Sequence, residues 1–318
     1  MDLSSLTEKA IRELFAGEGR TEELLQACEN DPRAGVRRMA AVERRRQAAA
    51  ATERRRLEEM LSYEAQFVVK RQVPVGGVDE VGRGPLAGPV VAACAVMPLE
   101  NPISGINDSK QLSPEKRALL DVEIRKRALG IGIGIVEAAE IDRVNIHRAT
   151  LAAMQHAVET CAPARPAALL IDAERLDGVQ LPQVSLVRGD ERSYVIACAS
   201  IVAKVYRDGL MVELHTQYPE YHFAENKGYG TPDHMRALER VGPCPLHRRS
   251  FAPVAGYALP SLKLFLQEVN RAHSLEALQR AGARIRESNS DLTDAELEQL
   301  RRAYRDRQRQ LNRDLEES

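Results

Sequence analysis

The sequence predicts an α/β sandwich around one mixed sheet flanked by helices, with a helical extension at each end. Three observations predict it. From residue 75 to about 255, short apolar runs rich in β-branched residues alternate with segments of helical period, the mixture that packs helices against a sheet. Residues 1 to about 70 carry no strand signal, and residues 257–318 return to helical spacing. The expected domains are a helical N-terminal extension (1–70), an α/β domain (71–256) and a helical C-terminal extension (257–318).

The elements follow in order. Ser5-Leu6-Thr7-Glu8 is a capping-box pattern, followed by Ile11, Leu14 and Phe15 at helical spacing. Asp31-Pro32 breaks that helix, and a second is expected from Arg33 to about Phe67. Between Arg33 and Arg56 nine arginines face only Glu43 and Glu53, a net of +7, whereas residues 1–31 carry −5. Arg37, Arg38, Arg44, Arg45 and Arg56 could form one basic stripe that meets duplex phosphates, or the acidic residues before them could neutralise it. Val75-Gly76-Gly77-Val78 leads into a strand, and Pro89–Met97 is a longer β-rich run. Ser113-Pro114-Glu115 reads as an N-cap and a proline at the first helical position, opening a helix toward Arg127. Ile131, Ile133 and Ile135 alternate with glycine, which predicts a strand pressed against another backbone. Helices are expected over Ile141–Cys161, Ser193–Val212 and Pro232–Arg240, with a short buried strand at Ala167–Ile171. Thr293-Asp294-Ala295-Glu296 is a second capping box, before Leu297, Leu300, Tyr304, Leu311 and Leu315 at roughly helical spacing.

Composition narrows the function. Of 318 residues 44% are hydrophobic, enough for a sizeable core, but aromatics are 4% and tryptophan is missing. A formal net charge of −1 excludes a globally basic nucleic-acid binder, so any such surface is a local patch. The five cysteines are scattered, with no C-x-x-C pair, which argues against a disulfide framework or zinc site and fits a reducing compartment. No apolar run reaches membrane-span length. A cytoplasmic protein with no membrane partner is expected. No nucleotide-binding P-loop occurs, and Gly130, Gly132 and Gly134 have the wrong spacing for a dinucleotide fingerprint.

The chemistry concentrates in Gly77-Val78-Asp79-Glu80-Val81-Gly82-Arg83-Gly84-Pro85. Adjacent carboxylates at a strand end repel unless a cation lies between them. Gly82 and Gly84 can bring backbone amides close to a phosphate, and Arg83 could contact phosphate or sugar. A charged β-turn is the plainer alternative. Asp172 ends the apolar run Ala167–Ile171, as a site carboxylate at the sheet's edge or a turn residue. Asp190 precedes a helix and could be simply its N-cap. Four carboxylates without a His/Cys cluster select Mn²⁺ or Mg²⁺ over zinc. Several such carboxylates converging could hold two metals for phosphodiester hydrolysis.

The segment from Gly77 to Val90 resembles the signature opening of the ribonuclease HII family. Later segments match in order: Asn107 to Ser113, Ala199 to Lys204, Asn226 to Thr231, and His247 to Phe251. The resemblance covers residues 75 to about 255. It implies a ribonuclease H-like fold and a metal and catalytic site of Asp79, Glu80, Asp172 and Asp190. It implies that Gly82, Arg83 and Gly84 recognise a ribose 2′-hydroxyl, that Tyr229 stacks on the sugar of the next deoxynucleotide, and that Ser109 and Lys110 contact the nucleic-acid backbone. The implied activity cleaves the RNA strand of RNA–DNA hybrids and cuts 5′ of ribonucleotides at RNA–DNA junctions in duplex DNA. We expect such a hybrid or ribonucleotide-containing duplex as partner, and a monomer. Alternatives are a type III ribonuclease H acting on longer hybrids, or an inactive nucleic-acid-binding protein. Arg83 and the Asp at 190 speak against the first, and the presence of all four carboxylates against the second. Departures from the family pattern are Arg188 where Lys is usual, Ala173 where Gly is frequent, and Tyr206 where Thr is frequent.

Overall fold

A computed structural model describes residues 3–16, 21–71, 73–257, 260–287 and 292–316. The chain opens with helices α1 (Glu8–Ala16), α2 (Glu22–Glu29), α3 (Ala34–Met60) and α4 (Ser62–Arg71). Thr7 rather than Ser5 caps α1, its hydroxyl accepting from the Ala10 amide at 3.2 Å. The single helix expected from Arg33 is broken at Leu61, and no glycine or proline announces the break. The bend lets Leu57 and Met60 of α3 pack on the α/β core while Glu64 of α4 reaches the same domain. Leu3, Ile11, Leu24, Leu25, Cys28, Val36 and Ala40 form a small core of their own.

The basic stripe on α3 is largely spoken for. Arg44 pairs with Glu22 at 2.6 Å and Glu29 at 2.8 Å. Arg37 donates to the carbonyls of Asp31 and Pro32, and Arg56 to Glu53 and the Ile106 carbonyl.

The α/β domain contains β1 (Val75–Val81), β2 (Val90–Val96), α5 (Pro114–Arg127), β3 (Gly130–Val136), α6 (Ala138–Val144), α7 (Ile146–Glu159), β4 (Ala162–Pro163), β5 (Ala168–Asp172) and β6 (Gln183–Leu186). Then come α8 (Gly189–Arg192), α9 (Tyr194–Gln217), α10 (Phe223–Asn226), α11 (Pro232–Val241) and α12 (Ala252–Ala255). The strands form one mixed sheet in the order β4-β3-β2-β1-β5-β6. Neighbours from β4 to β1 are antiparallel, and β1, β5 and β6 are parallel. One face buries Ala93, Ala95 and Leu170 under α9 and α5, and the other buries Val78, Ala92, Cys94 and Leu169 under α7.

The glycines of β3 have the reason the sequence suggested. A Cβ on Gly134 would lie 1.9 Å from the Ala153 carbonyl of α7, and one on Gly132 would lie 2.0 Å from that of Ala157. The helix expected over Ile141–Cys161 is two helices, because Asn145 takes a positive φ of 75° and caps α7 through the Arg148 amide. Helix α9 runs five residues past the expected end at Val212, to Gln217. The short edge strands β4 and β6 were not anticipated. Ala173 sits at φ 51°, the left-handed region in which a Cβ costs roughly 1–2 kcal/mol; that is why glycine suits the position.

Helices α13 (Pro260–Arg271), α14 (Leu275–Glu287) and α15 (Asp294–Glu316) complete the chain. The second capping box forms as expected: Thr293 Oγ1 accepts from the Glu296 amide, and Glu296 accepts from the Thr293 amide at 2.9 Å. Glu296 also pairs with Arg249, tying α15 to the α/β domain. All five cysteines are free and buried. Among the described residues no helix is long and apolar enough to cross a membrane.

Candidate active site

The central strand β1 has an antiparallel neighbour on one side and a parallel one on the other. The chain leaves β1 toward β2 and leaves β5 toward β6, in opposite directions, and ligands bind beyond the carboxyl ends of strands at such a reversal. Asp79 and Glu80 lie near the carboxyl end of β1 and Asp172 at that of β5, with Val78 in register with Ile171. The result is a cluster in which one oxygen from each of Asp79, Glu80 and Asp172 lies within 4.8 Å of the others.

Each carboxylate is held from behind. A Cβ on Gly77 would lie 2.1 Å from the backbone of Val195, so α9 packs directly on β1. That approach brings Ser200 to Asp79, whose carboxylate it stabilises by a hydrogen bond. Ser200 in turn meets Ser109 at 2.9 Å. Asp79 also accepts from the Glu80 amide at 2.8 Å, and Asp172 from the Gly189 amide at 2.5 Å. Asp190 stands beside the cluster, tied to Lys110 at 3.3 Å, and its charge bears on both Asp79 and Asp172. Burial, then the charges of Glu80 and Asp172, push the Asp79 carboxyl well above its usual range. Burial likewise raises Glu80 and Asp172, although Arg83 opposes it in both.

These observations fit a divalent cation. The donors are hard oxygens, their mutual repulsion lacks a counter-charge at the centre, and Glu80 Oε2 is buried with no hydrogen-bond partner. Asp79, Glu80 and Asp172 could hold such an ion, whereas Asp190 lies outside their group, paired with Lys110.

The expected recognition residues divide into two groups. Gly84 and Tyr229 adjoin: a Cβ on Gly84 would lie 3.8 Å from the Tyr229 ring, which is 43% exposed. The Arg83 side chain turns back to the acidic site, bonding Glu80 at 3.2 Å and Glu174 at 3.1 Å while staying 40% exposed. Lys110 is exposed beside Asp190. Ser109, expected to meet the nucleic-acid backbone, is buried with its hydroxyl committed to Ser200.

Comparison with known proteins settles the relationship. The family model described as Ribonuclease HII matches residues 76–254, more than half the chain, and that of the Ribonuclease HII N-terminal domain matches residues 7–68. Ribonuclease HII of Pelotomaculum thermopropionicum is 47% identical over 79% of this chain and 96% of its own. The chain belongs to the ribonuclease HII family. The Lactobacillus helveticus ribonuclease HII is 46% identical over 79% of this chain and 99% of its own length. The crystal structure of ribonuclease H2 from Pyrococcus horikoshii superposes with a TM-score of 0.50 at 25% identity, covering 57% of this chain and 95% of that one. The chain is thus an enzyme, a metal-dependent endoribonuclease with a ribonuclease H-like sheet.

Ser200, Glu174, Arg207 and Arg248, which touch the flagged residues or their backbone, were given no role from the sequence. Glu174 was two positions from a flagged carboxylate. Ser200 and Arg248 stood inside matched motifs, but a motif match carries no role for a side chain that packs inward. His247, read as structural, is 1% exposed and bonds His234 at 2.9 Å.

Proposed function

We propose that this enzyme hydrolyses the RNA strand of RNA–DNA hybrids and cuts 5′ of ribonucleotides at RNA–DNA junctions in duplex DNA. Asp79, Glu80, Asp172 and Asp190 are its metal-holding and catalytic residues, and Gly82, Arg83, Gly84, Lys110 and Tyr229 its substrate contacts. The observation that carries the reading is continuity: β1 and its exit turn bear two of the three clustered carboxylates, Asp79 and Glu80, and the glycine segment that adjoins an exposed tyrosine, with Asp172 brought in from β5. A phosphate at the cluster therefore brings the neighbouring sugars to the glycine segment and the ring.

When bound, two Mn²⁺ or Mg²⁺ ions supply positive charge for the attacking and leaving oxygens of an in-line displacement. The chain's own residues do the rest. Ser200 and the Gly189 amide orient the Asp79 and Asp172 carboxylates. Arg83 restrains Glu80 and Glu174 through its guanidinium and leaves its backbone amide to the substrate. Lys110 offers an exposed cation to a flanking phosphate. The Tyr229 ring packs on a sugar lacking the 2′-hydroxyl, the group that separates RNA from DNA locally. Ser109 contributes at most through its main chain.

The test is incubation with duplex DNA carrying one ribonucleotide, with and without Mn²⁺ or Mg²⁺. A single metal-dependent cut on the 5′ side of the ribonucleotide is expected. Equal cutting of an otherwise identical all-DNA duplex, or no cutting beside efficient cleavage of long hybrids, would overturn the junction reading.

A further inference from the structure

The largest fully buried side chains are two arginines, Arg207 and Arg248. Among the described residues neither forms an ion pair, although an unpaired buried charge ordinarily costs several kcal/mol. Their donors go to peptide carbonyls instead. Arg248 donates to Gly82 at 2.5 Å, Arg83 at 2.9 Å, and Gly88 at 3.0 and 2.9 Å. Arg207 donates to Pro89 at 2.9 Å, Lys227 at 3.0 Å and Ala87 at 3.2 Å. Every acceptor lies in the glycine segment, in the turn leading into β2, or two residues before Tyr229. Gly82 has φ 91°, and a Cβ there would lie 2.2 Å from Arg207 Nε, so the glycine and the arginine require each other.

A trans peptide points its N–H away from its C=O. With the Gly82 and Arg83 carbonyls locked inward on Arg248, the amides of Arg83 and Gly84 face the opposite way. Neither has an acceptor among the described residues. Two adjacent amides with no protein acceptor, their carbonyls held by buried guanidiniums, are donors left for an incoming oxygen. A lysine could not replace Arg248 in this, because one ammonium does not span three carbonyls as a planar fork does.

We propose that Arg248, supported by Arg207, is a positioning residue that sets the polarity of the glycine segment, turning the Arg83 and Gly84 amides outward as donors to the ribose 2′-hydroxyl. The inference rests on the junction reading above. It assigns ribose discrimination to buried guanidiniums that never touch the substrate.

The experiment uses the full chain, with Arg248→Lys and Arg207→Lys, which keep the charge and lose the fork. Binding is measured by anisotropy without added divalent metal, on a duplex bearing one ribonucleotide and on the same duplex as all DNA. KM and kcat are measured on the first with Mn²⁺. For Arg248→Lys, discrimination between the duplexes is expected to fall roughly tenfold, the worth of one amide-to-hydroxyl hydrogen bond. KM should rise by a similar factor while kcat stays within a few-fold and all-DNA binding is unchanged. Arg207→Lys, which leaves the Gly82 and Arg83 bonds in place, should give a smaller loss in the same direction, and it decides the matter should Arg248→Lys not fold. A folded variant with wild-type discrimination overturns the proposal. Failure of both variants to fold overturns it in favour of a purely structural role. A wild type that does not discriminate removes the junction reading itself, and the inference with it.

Discussion

Asp79 is the most constrained residue of the site: nearly fully buried, beside two carboxylates, with its pKa raised chiefly by burial. Replacing it by Asn keeps its shape and removes a charge. Asp79→Asn should abolish cleavage, a loss of several kcal/mol of transition-state stabilisation, while duplex binding stays within a few-fold of wild type. Cleavage near the wild-type rate in a single-turnover assay would remove Asp79 from the catalytic set. Tyr229 makes a different kind of contribution, because it lies on the recognition side. Stacking on an aromatic is worth ~1–3 kcal/mol, so Tyr229→Ala should slow cleavage at a single embedded ribonucleotide by about tenfold or more. An unchanged rate would leave the ring a loop residue. The place of Asp79 in an acidic cluster and of Tyr229 beside Gly84 follows from local motifs. The inward turn of the Ser109 hydroxyl onto Ser200 was not readable, since a motif does not say which way a hydroxyl turns.

Element by element, the N-terminal extension is docked rather than appended. Glu64 of α4 is fully buried and accepts from the Ser193 hydroxyl at 2.7 Å and the Val195 amide at 3.0 Å, so it caps α9 from another element. Losing a cap costs ~1 kcal/mol, and the change would also orphan a buried hydroxyl. Glu64→Ala should therefore destabilise the protein by about 1–3 kcal/mol in urea unfolding and speed proteolysis within residues 1–70. A wild-type midpoint would show that α9 needs no external cap. On α3, only Arg38 and Arg45 of the five stripe arginines lack an intramolecular partner among the described residues. If they meet phosphate, each adds about −0.9 to the slope of log affinity against log salt. Arg38→Gln with Arg45→Gln should flatten that slope by at most about two units, measured on a non-cleavable duplex. Parallel slopes would confine nucleic-acid contact to the α/β domain.

Across the whole molecule, a buried histidine pair joins the loops that carry Tyr229 and Cys244. His234 Nδ1 meets the Tyr229 carbonyl at 2.9 Å, and its other nitrogen meets His247, whose Nδ1 accepts from the Cys244 amide. Burial, then the neighbouring His234, push His247 down to about 3. A base whose folded pKa lies below its unfolded value of ~6.5 takes up a proton more readily when unfolded. Its contribution is therefore present above pH ~6.5 and is lost as pH falls toward the folded value. His247→Gln removes that uptake, so the gap in urea midpoint between wild type and variant should narrow from pH 7.5 to pH 5. A constant gap would mean that His247 does not titrate with unfolding.

The sequence by itself determined whatever depends on local pattern. The glycine alternation of β3 foretold a backbone pressed against it, and α7 is there. Thr293 to Glu296 foretold a capping box, and it formed. Adjacent carboxylates at a strand end foretold an acidic centre, and Asp172 joined it because β5 lies beside β1. Tertiary structure decided what depends on partners distant in the chain. The break at Leu61 has no local signal, because it serves contacts made by Leu57 and Glu64 with the α/β domain. Arg44 looked like part of a free basic stripe until α2 placed Glu22 and Glu29 against it. Arg248 is 165 residues from Arg83, whose carbonyl it holds. Charge and period are properties of a segment, whereas burial and hydrogen-bond partners exist only once segments meet.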